Sequence, residues 1–218
     1  TPPMGYLEEG EAKGFGVEIT RAVLDEAGIE HHFKMVPWVR AYEEAKRGNG
    51  FIFGMFWSGE RAELFEFSEP LWTEHFILVT RAGEEFSFQS MQDLKGKRVA
   101  LQRVNKLSAE FTAAVNAELF TSIEIRDAES RLRFLMAGRA DAAIFSPGVA
   151  ALQWSANLAG VDVAAVSVLA QPVAYKAKHL GVAKSQQRPE LILKINAAIK
   201  KLRENGTLEA IKKRYGST

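Results

Sequence analysis

The sequence predicts an α/β fold made of two lobes. Amphipathic helical patterns alternate with short apolar runs of strand length, and this alternation occurs in both halves of the chain. The chain has 218 residues, of which 47% are hydrophobic, so it contains enough apolar side chains for two small lobes. No low-complexity linker separates the halves, and we therefore expect strands to join the lobes.

The pattern of the first half is typical of a mostly parallel sheet covered by helices. In its first helix Ile19, Val23 and Ala27 recur at helical spacing, and Gly28 provides a C-terminal stop. The predicted elements, in chain order, are a helix over 14–29, a strand over 30–38, a helix over 39–50, and strands over 51–56 and 76–83.

The second half repeats this pattern. Gly138 ends one of its helices, Pro147 ends a strand, and Asn205 with Gly206 separates two amphipathic helices near the C-terminus. The predicted elements are a short helix followed by the strand Arg98–Leu101, a helix over 106–120, a strand over 122–128, a helix over 129–140, a strand over 141–147, a helix over 148–160, strands over 161–169 and 178–184, and two helices over 188–216.

Composition argues against several classes of site. The net charge is +1 and no long basic run occurs, which argues against a nucleic-acid partner. The absence of cysteine excludes disulfides, thiolate metal sites and cysteine nucleophiles. His31 and His32 are adjacent on a predicted strand and would point to opposite faces, so they make a poor metal pair. No apolar run reaches the roughly 18 residues needed to span a bilayer, and no cofactor motif is present.

Six segments in a fixed order carry a family resemblance. They are PPMGYLEEGEAKGFGVEITRAVLDEAGI, VPW, GERAELFEFSEPLW, LKGKRVALQ, AGRADAAIFSP and INAAIKKLRENGTLEAIKKRYG. Over nearly the whole chain they resemble the periplasmic solute-binding proteins, family 3, of polar amino-acid ABC transporters. The segment PWVRAY is similar to a divergent branch of that family.

The resemblance implies a periplasmic-binding-protein fold of type II, the two-lobed Venus flytrap, with two crossing hinge strands near 78–81 and 179–183. Lobe 1 would contain residues 1–79 and 184–218, and lobe 2 residues 80–183, with one further strand of the family lying before Thr1. The function implied is that of a monomeric periplasmic protein, exported with removal of a signal peptide. It would capture a small ligand between its lobes, without a cofactor, and deliver it to a membrane ABC permease.

Arg61 is the central candidate for ligand binding. In the family that this chain resembles, the arginine of the Glu-Arg step pairs with the carboxylate of the ligand. A planar guanidinium matches a carboxylate in a two-pronged geometry, and a partly dry site strengthens the pair. The alternative is a surface arginine that pairs with Glu60 or Glu63.

Four further residues of the first lobe fall at ligand-contacting positions of the family. Trp38 would form an aromatic platform under the ligand, and its alternative is packing in the core. Gly54 and Phe56 would offer backbone groups, since Phe56 has no hydroxyl. Trp57 adds aromatic surface nearby.

The second lobe departs from the family pattern. At the helix start that receives the carboxylate in the family, Asn105 or Ser108 would cap the helix, and Arg103 would either reinforce the anion site or be a solvated surface charge. Ser146 stands where the family commonly has an aspartate that binds the ammonium group of the ligand, with the apolar Phe145 beside it. Because serine supplies no negative charge, the sequence predicts an anionic ligand with a carboxylate and no α-amino group.

Two other functions remain open. A few relatives of this fold are lyases or dehydratases of small acids, and such chemistry needs a positioned acid or base. The sequence contains none of the usual catalytic motifs, so we expect a protein that is not an enzyme. The same fold also serves as the sensing domain of membrane receptors, and a downstream apolar segment of roughly 20 residues in the full-length gene would indicate that role.

Overall fold

The computed structural model describes residues 2–102 and 107–216, and the chain divides into two compact units. Unit 1 combines the chain up to Glu74 with the chain from Lys176 onward, and unit 2 is the segment His75–Tyr175. The chain therefore passes from one unit to the other inside the strands Trp72–Arg81 and Ala174–Ala183. The lobe boundaries at 79/80 and 183/184, and the hinge positions derived from them, stay predictions.

Helices and strands alternate along the chain, which confirms the α/β class. The strands are β1 (Tyr6–Glu8), β2 (Glu11–Lys13), β3 (Phe51–Phe56), β4 (Phe65–Phe67), β5 (Trp72–Arg81), β6 (Arg98–Leu101), β7 (Thr121–Glu124), β8 (Ala142–Phe145), β9 (Val166–Val168) and β10 (Ala174–Ala183). The α-helices are α1 (Phe15–Glu26), α2 (Trp38–Lys46), α3 (Gly59–Leu64), α4 (Ala109–Asn116), α5 (Ala128–Met136), α6 (Gly148–Ala159), α7 (Pro189–Glu204) and α8 (Thr207–Arg214).

The sheet of unit 1 is antiparallel among the described strands. Strand β10 pairs antiparallel with β3 and also with β4, while β1 and β2 form a separate hairpin. The prediction of a mostly parallel sheet in the first half is therefore wrong. The prediction rested on the alternation of helices and strands, which does not specify pairing partners, and the neighbour of β3 is β10, which runs in the opposite direction.

The prediction of a strand over 30–38 is also wrong. Residues 29–37 have no regular structure, and α2 already begins at Trp38. The alternation of Phe33 and Met35 with polar residues favoured a strand, but a strand requires a hydrogen-bonded neighbour. Among the described residues none pairs with this segment. The segment is instead anchored by side chains, since the ring of Phe33 meets that of Phe53 edge-on with centroids 5.7 Å apart.

Helices α1, α7 and α8 bury the apolar faces that their sequences predicted. Ile19 and Val23 of α1 lie in the same buried core as Ile195 and Ile199 of α7. Helix α7 begins with a proline at its first position, where no intrahelical hydrogen bond is lost. The break between α7 and α8 falls at Gly206, whose φ of 78° is left-handed and suits glycine.

Unit 2 contains a mixed sheet covered by helices. Strand β6 lies between β7 and β8, parallel to both, and β5 pairs antiparallel with β8 and β9. Capping side chains begin two of its helices. The hydroxyl of Ser108 accepts from the amide of Phe111 at 3.0 Å, which confirms the cap predicted there, and Asp127 accepts from Ser130 at 2.7 Å. The predicted strand over 161–169 is shorter, because a 3-10 turn occupies Val163–Ala165.

Candidate functional site

Arg61 is positioned by the loop between β3 and the short helix α3. The hydroxyl of Ser58 caps α3 by accepting a hydrogen bond from the backbone amide of Arg61 at 3.3 Å. The side chain turns back along the chain, and its Nη1 donates to the backbone carbonyl oxygen of Phe56 at 2.9 Å. Backbone and side chain are thus both held locally, and the half-buried guanidinium has a defined orientation.

Two aromatic rings of α2 flank this guanidinium. Its central carbon lies 5.8 Å from the ring centroid of Trp38 and 5.7 Å from that of Tyr42, within the range of a cation–π contact. Trp38 keeps 43% of its surface exposed, so it is not a core residue. A cavity of about 220 Å³ lies at this point, and it is lined by Trp38, Val39, Tyr42, Glu60 and Arg61.

Arg61 does not form the surface ion pair with Glu60 or Glu63 that was its alternative role. Within residues 2–102 and 107–216 the side chain of Arg61 makes one hydrogen bond and two aromatic contacts, and neither Glu60 nor Glu63 pairs with it. A half-buried guanidinium without a carboxylate partner retains N–H donors suited to an anion.

A bulge in β3 shapes the backbone next to Arg61. Met55 lies opposite His179 and Phe53 lies opposite Leu180, so Gly54 is an extra residue in the ladder between β3 and β10. Gly54 is buried and has a φ of 74°, a conformation that suits glycine. Trp57 follows β3 and is 62% exposed.

Two lysines that sequence reasoning missed lie beside Phe56, and a buried glutamate pairs with one of them. The ammonium of Lys178 lies 3.5 Å from the centroid of the Phe56 ring, and that of Lys176 lies 4.7 Å from it. Lys178 also forms an ion pair of 2.7 Å with Glu74, and both members are more than nine-tenths buried. The sequence offered one signal for this cluster, the spacing of two residues between the lysines on one strand. It did not indicate their acidic partner, because Glu74 is distant in the sequence.

The pKa values of the two lysines reflect this crowding. Burial lowers the pKa of Lys178, while the carboxylate of Glu74 acts in the opposite direction. Burial likewise lowers the pKa of Lys176, and the positive charges of Lys178 and Arg61 lower it further. Each lysine would regain basicity next to an added negative charge.

The predicted residues of the second lobe belong to unit 2 or lie outside the described residues. Ser146 directly follows β8 and is partly buried. Phe145 has no exposed surface and packs in the core of unit 2, which indicates a packing role rather than ligand contact. Arg103 and Asn105 lie outside the described residues. The rings of His75 and Tyr175, which the sequence did not single out, meet edge-on at 4.9 Å.

A larger cavity, of about 440 Å³, lies elsewhere in unit 1. It is bordered by α1, the irregular segment 29–37 and β3, and it includes His31 and His32 but none of the predicted ligand residues. No group of three or more histidine or acidic side chains among the described residues is arranged to bind a metal. We assign the candidate site to the smaller cavity, because there the oriented guanidinium of Arg61, without an acidic partner among the described residues, meets the exposed ring of Trp38.

Comparison with protein families and curated proteins gives consistent matches over the whole chain. The model of the family described as "Bacterial extracellular solute-binding proteins, family 3" matches residues 1–218. The arginine-binding extracellular protein ArtP of Bacillus subtilis is 29% identical over 219 residues, covering 98% of this chain and 81% of that protein. The L-cystine-binding protein TcyJ of Escherichia coli K12 is 25% identical, covering 98% of this chain and 78% of that protein.

Solved structures share the fold. Substrate-binding domain 2 of GlnP from Lactococcus lactis, in its open conformation, has a TM-score of 0.74 at 19% identity and covers 99% of this chain and 90% of that one. A histidine kinase sensor domain similar to periplasmic binding proteins also has a TM-score of 0.74, at 23% identity, and covers 98% of this chain and 91% of that one. Among the described residues, no helix has the length and apolar character needed to cross a bilayer.

Proposed function

Because this chain belongs to the bacterial extracellular solute-binding proteins, family 3, we propose that it captures a small carboxylate-bearing ligand for an ABC transporter. Its relatives are named as amino-acid-binding proteins of such transporters. In this proposal Arg61 binds the carboxylate, and Trp38 and Trp57 provide aromatic surface for the body of the ligand. Gly54 and Phe56 contribute backbone groups. The site takes no cofactor, and the protein is a monomer without catalytic activity.

The observation that carries this proposal is the state of Arg61. Its guanidinium is half-buried, oriented by the carbonyl of Phe56, flanked by Trp38 and Tyr42, and without an acidic partner among the described residues. Leaving a cation in a partly dry position has a desolvation cost, and an anionic ligand would offset that cost. We therefore propose that the ligand supplies the missing negative charge.

The proposal includes export and delivery. The family is extracellular by its description, and we propose that this chain is exported with removal of a signal peptide, resides in the periplasm and docks on a membrane permease. A second candidate is the sensing domain of a membrane receptor, which the fold of the histidine kinase sensor domain favours. A bilayer-spanning segment encoded downstream in the full-length gene would indicate that this chain is a receptor domain.

A thermal-shift screen tests the carboxylate. The panel pairs each small carboxylic acid with its neutral amide, a compound of nearly the same shape that lacks the negative charge and one acceptor oxygen. A ligand at 100 times its dissociation constant should raise the free energy of unfolding by roughly 2.7 kcal/mol. We expect at least one acid to stabilise the protein while its amide does not. Equal stabilisation by an acid and its amide would contradict the role of Arg61.

A further inference from the structure

The lining of the smaller cavity in unit 1 restricts the body of any ligand that binds Arg61. The cavity measures about 220 Å³, and besides Arg61 it is lined by Trp38, Val39, Tyr42 and Glu60. Because Glu60 is an exposed acid, the apolar surface open to the ligand comes from one helix, α2. Sites for drug-sized ligands usually measure roughly 300–1,000 Å³, so this cavity suits a smaller molecule.

Trp38 provides the open part of this apolar surface. Trp38 and Tyr42 are four residues apart on α2, so their side chains lie on the same face of the helix. The ring of Tyr42 packs on that of Phe65, with centroids 5.4 Å apart, at the edge of a buried core. The ring of Trp38 meets no other aromatic ring within the described part of the chain, and 43% of the residue is exposed. Trp38 therefore presents a flat apolar surface beside the guanidinium of Arg61.

A flat ring matches this surface better than a puckered one does. Aromatic pairs in offset or edge-on contact gain free energy beyond that of the apolar area they bury. A bound ring would also remove from water part of the exposed indole and of Val39, which is 74% exposed. The surface next to the cation therefore favours an aromatic body over an aliphatic one of similar size.

We infer that Trp38 is a specificity-determining residue and that the ligand is a small aromatic carboxylate, whose ring stacks on Trp38 while its carboxylate binds Arg61. This inference rests on the proposed function, in which Arg61 takes the carboxylate. It uses only side chains that line the cavity. Tyr42, held by Phe65, supports the guanidinium from a second side.

Calorimetry with benzoate and cyclohexanecarboxylate tests the inference. Each probe has a carboxylate on a six-carbon ring and is ionised at about pH 7, but only the ring of benzoate is flat and aromatic. An apolar surface without stacking would bind the saturated ring at least as tightly, because that ring has at least as much apolar area. The wild-type protein should bind benzoate roughly two- to tenfold more tightly, which is what aromatic pairs contribute beyond area burial.

Substitutions of Trp38 assign this preference to its ring. Trp38→Leu keeps an apolar side chain but removes the flat surface, so the two acids should then bind within about twofold of each other. Trp38→Phe keeps an aromatic ring and should keep the preference for benzoate. Leu193→Ala shortens an apolar side chain of α7 that is 71% exposed, and as the control it should leave both affinities unchanged.

The outcomes separate this inference from the function on which it rests. If the wild type binds cyclohexanecarboxylate as tightly as benzoate, or binds only aliphatic acids, and Arg61→Ala abolishes that binding, the aromatic ligand is wrong and the proposed function stands. If no carboxylate binds the wild type, both proposals fail.

Two results would remove Trp38 from the inference. One is a preference for benzoate that survives in Trp38→Leu. Should Trp38→Leu not fold, nuclear Overhauser effects between the ring protons of benzoate and the indole of Trp38 in the wild type replace it as the test. The absence of these effects in the benzoate complex would overturn the stacking role.

Discussion

The guanidinium of Arg61 is anchored to the backbone of Phe56 by a hydrogen bond of 2.9 Å from Nη1 to the carbonyl oxygen. The same Phe56 ring lies under the ammonium groups of Lys176 and Lys178. Phe56 therefore contacts both the arginine predicted to bind an anion and two lysines of β10. Of these three cationic side chains, it contacts one through its backbone and two through its ring.

Replacing Arg61 should abolish binding of an acidic ligand without unfolding the protein. Truncation of one partner of a desolvated charge pair costs about 2–5 kcal/mol of binding free energy, so calorimetry on Arg61→Ala should show a loss of roughly 30-fold or more. Arg61→Lys should restore little, because the planar fork is lost. The control is Arg47→Ala, at an exposed site after α2. Wild-type affinity in Arg61→Ala would contradict the carboxylate role.

Replacing Ser146 should change the preference between amino acids and simple acids. A buried ammonium group without an anionic partner is heavily penalised, and Ser146 offers only a neutral acceptor. We expect a small carboxylate to bind the wild type better than its α-amino derivative, and Ser146→Asp to shift the preference toward the amine. The test is calorimetry on both proteins with ligand pairs that differ only in the amine, with the exposed Ser185→Asp as control.

The result that would contradict the Ser146 prediction is tight binding of a free amino acid. The relatives named above bind arginine and L-cystine, both of which carry an α-amino group. Tight binding of a free amino acid by the wild-type protein would therefore overturn the prediction. It would show that another group accepts the ammonium.

Removing one member of the buried ion pair should destabilise unit 1. Lys178→Met leaves the carboxylate of Glu74 buried without its partner, which should lower the free energy of unfolding by about 3–5 kcal/mol in urea titrations. The double replacement Glu74→Leu with Lys178→Met should recover most of this loss, because two apolar side chains replace two desolvated charges. Lys201→Met is the matched control. Its surface pair with Glu26 spans 2.6 Å and should contribute less than about 1 kcal/mol. Equal decreases in the free energy of unfolding for Lys178→Met and Lys201→Met would contradict the prediction.

Replacing Arg131 should stabilise unit 2. Its side chain is 3% exposed, lies 4.8 Å over the ring of Phe145, and buries Nε without a hydrogen-bond partner among the described residues. Burial lowers the pKa of Arg131 to about 10. The charged form is therefore penalised in the folded state at neutral pH, and Arg131→Met should raise the free energy of unfolding by about 1–3 kcal/mol.

The pH dependence of this effect follows from the direction of the shift. Because the pKa is depressed in the folded state, the folded arginine releases its proton first as pH rises through about 10. Wild-type stability then increases relative to Arg131→Met until the unfolded state also deprotonates. Urea titrations at about pH 8 and pH 10.5 should show that the difference in free energy of unfolding between the wild type and Arg131→Met is smaller at the higher pH. If this difference in free energy of unfolding does not change with pH, the buried charge of Arg131 is not its cause.

Local sequence signals predicted most of the helices because their causes are local. The apolar spacing of α1, the Ser108 cap of α4 and the glycine after α7 each act within a few residues. The hydrogen bonds of Arg61, to which the family resemblance pointed, are also local, since they are made with Ser58 and Phe56 a few residues earlier in the chain. The position of the arginine that we propose to bind the ligand was thus available from the sequence.

The sequence by itself determined the α/β pattern and the family, and it singled out Arg61 and Trp38 as candidate ligand contacts. Only the tertiary structure decided which strands pair and which charges meet. Residues 29–37 matched a strand pattern, yet strand formation depends on a neighbour that the pattern does not specify. The antiparallel partner of β3 and the ion pair between Glu74 and Lys178 join segments more than a hundred residues apart. Contacts of that range arise from packing, because no local energy term links such distant residues before the chain has folded.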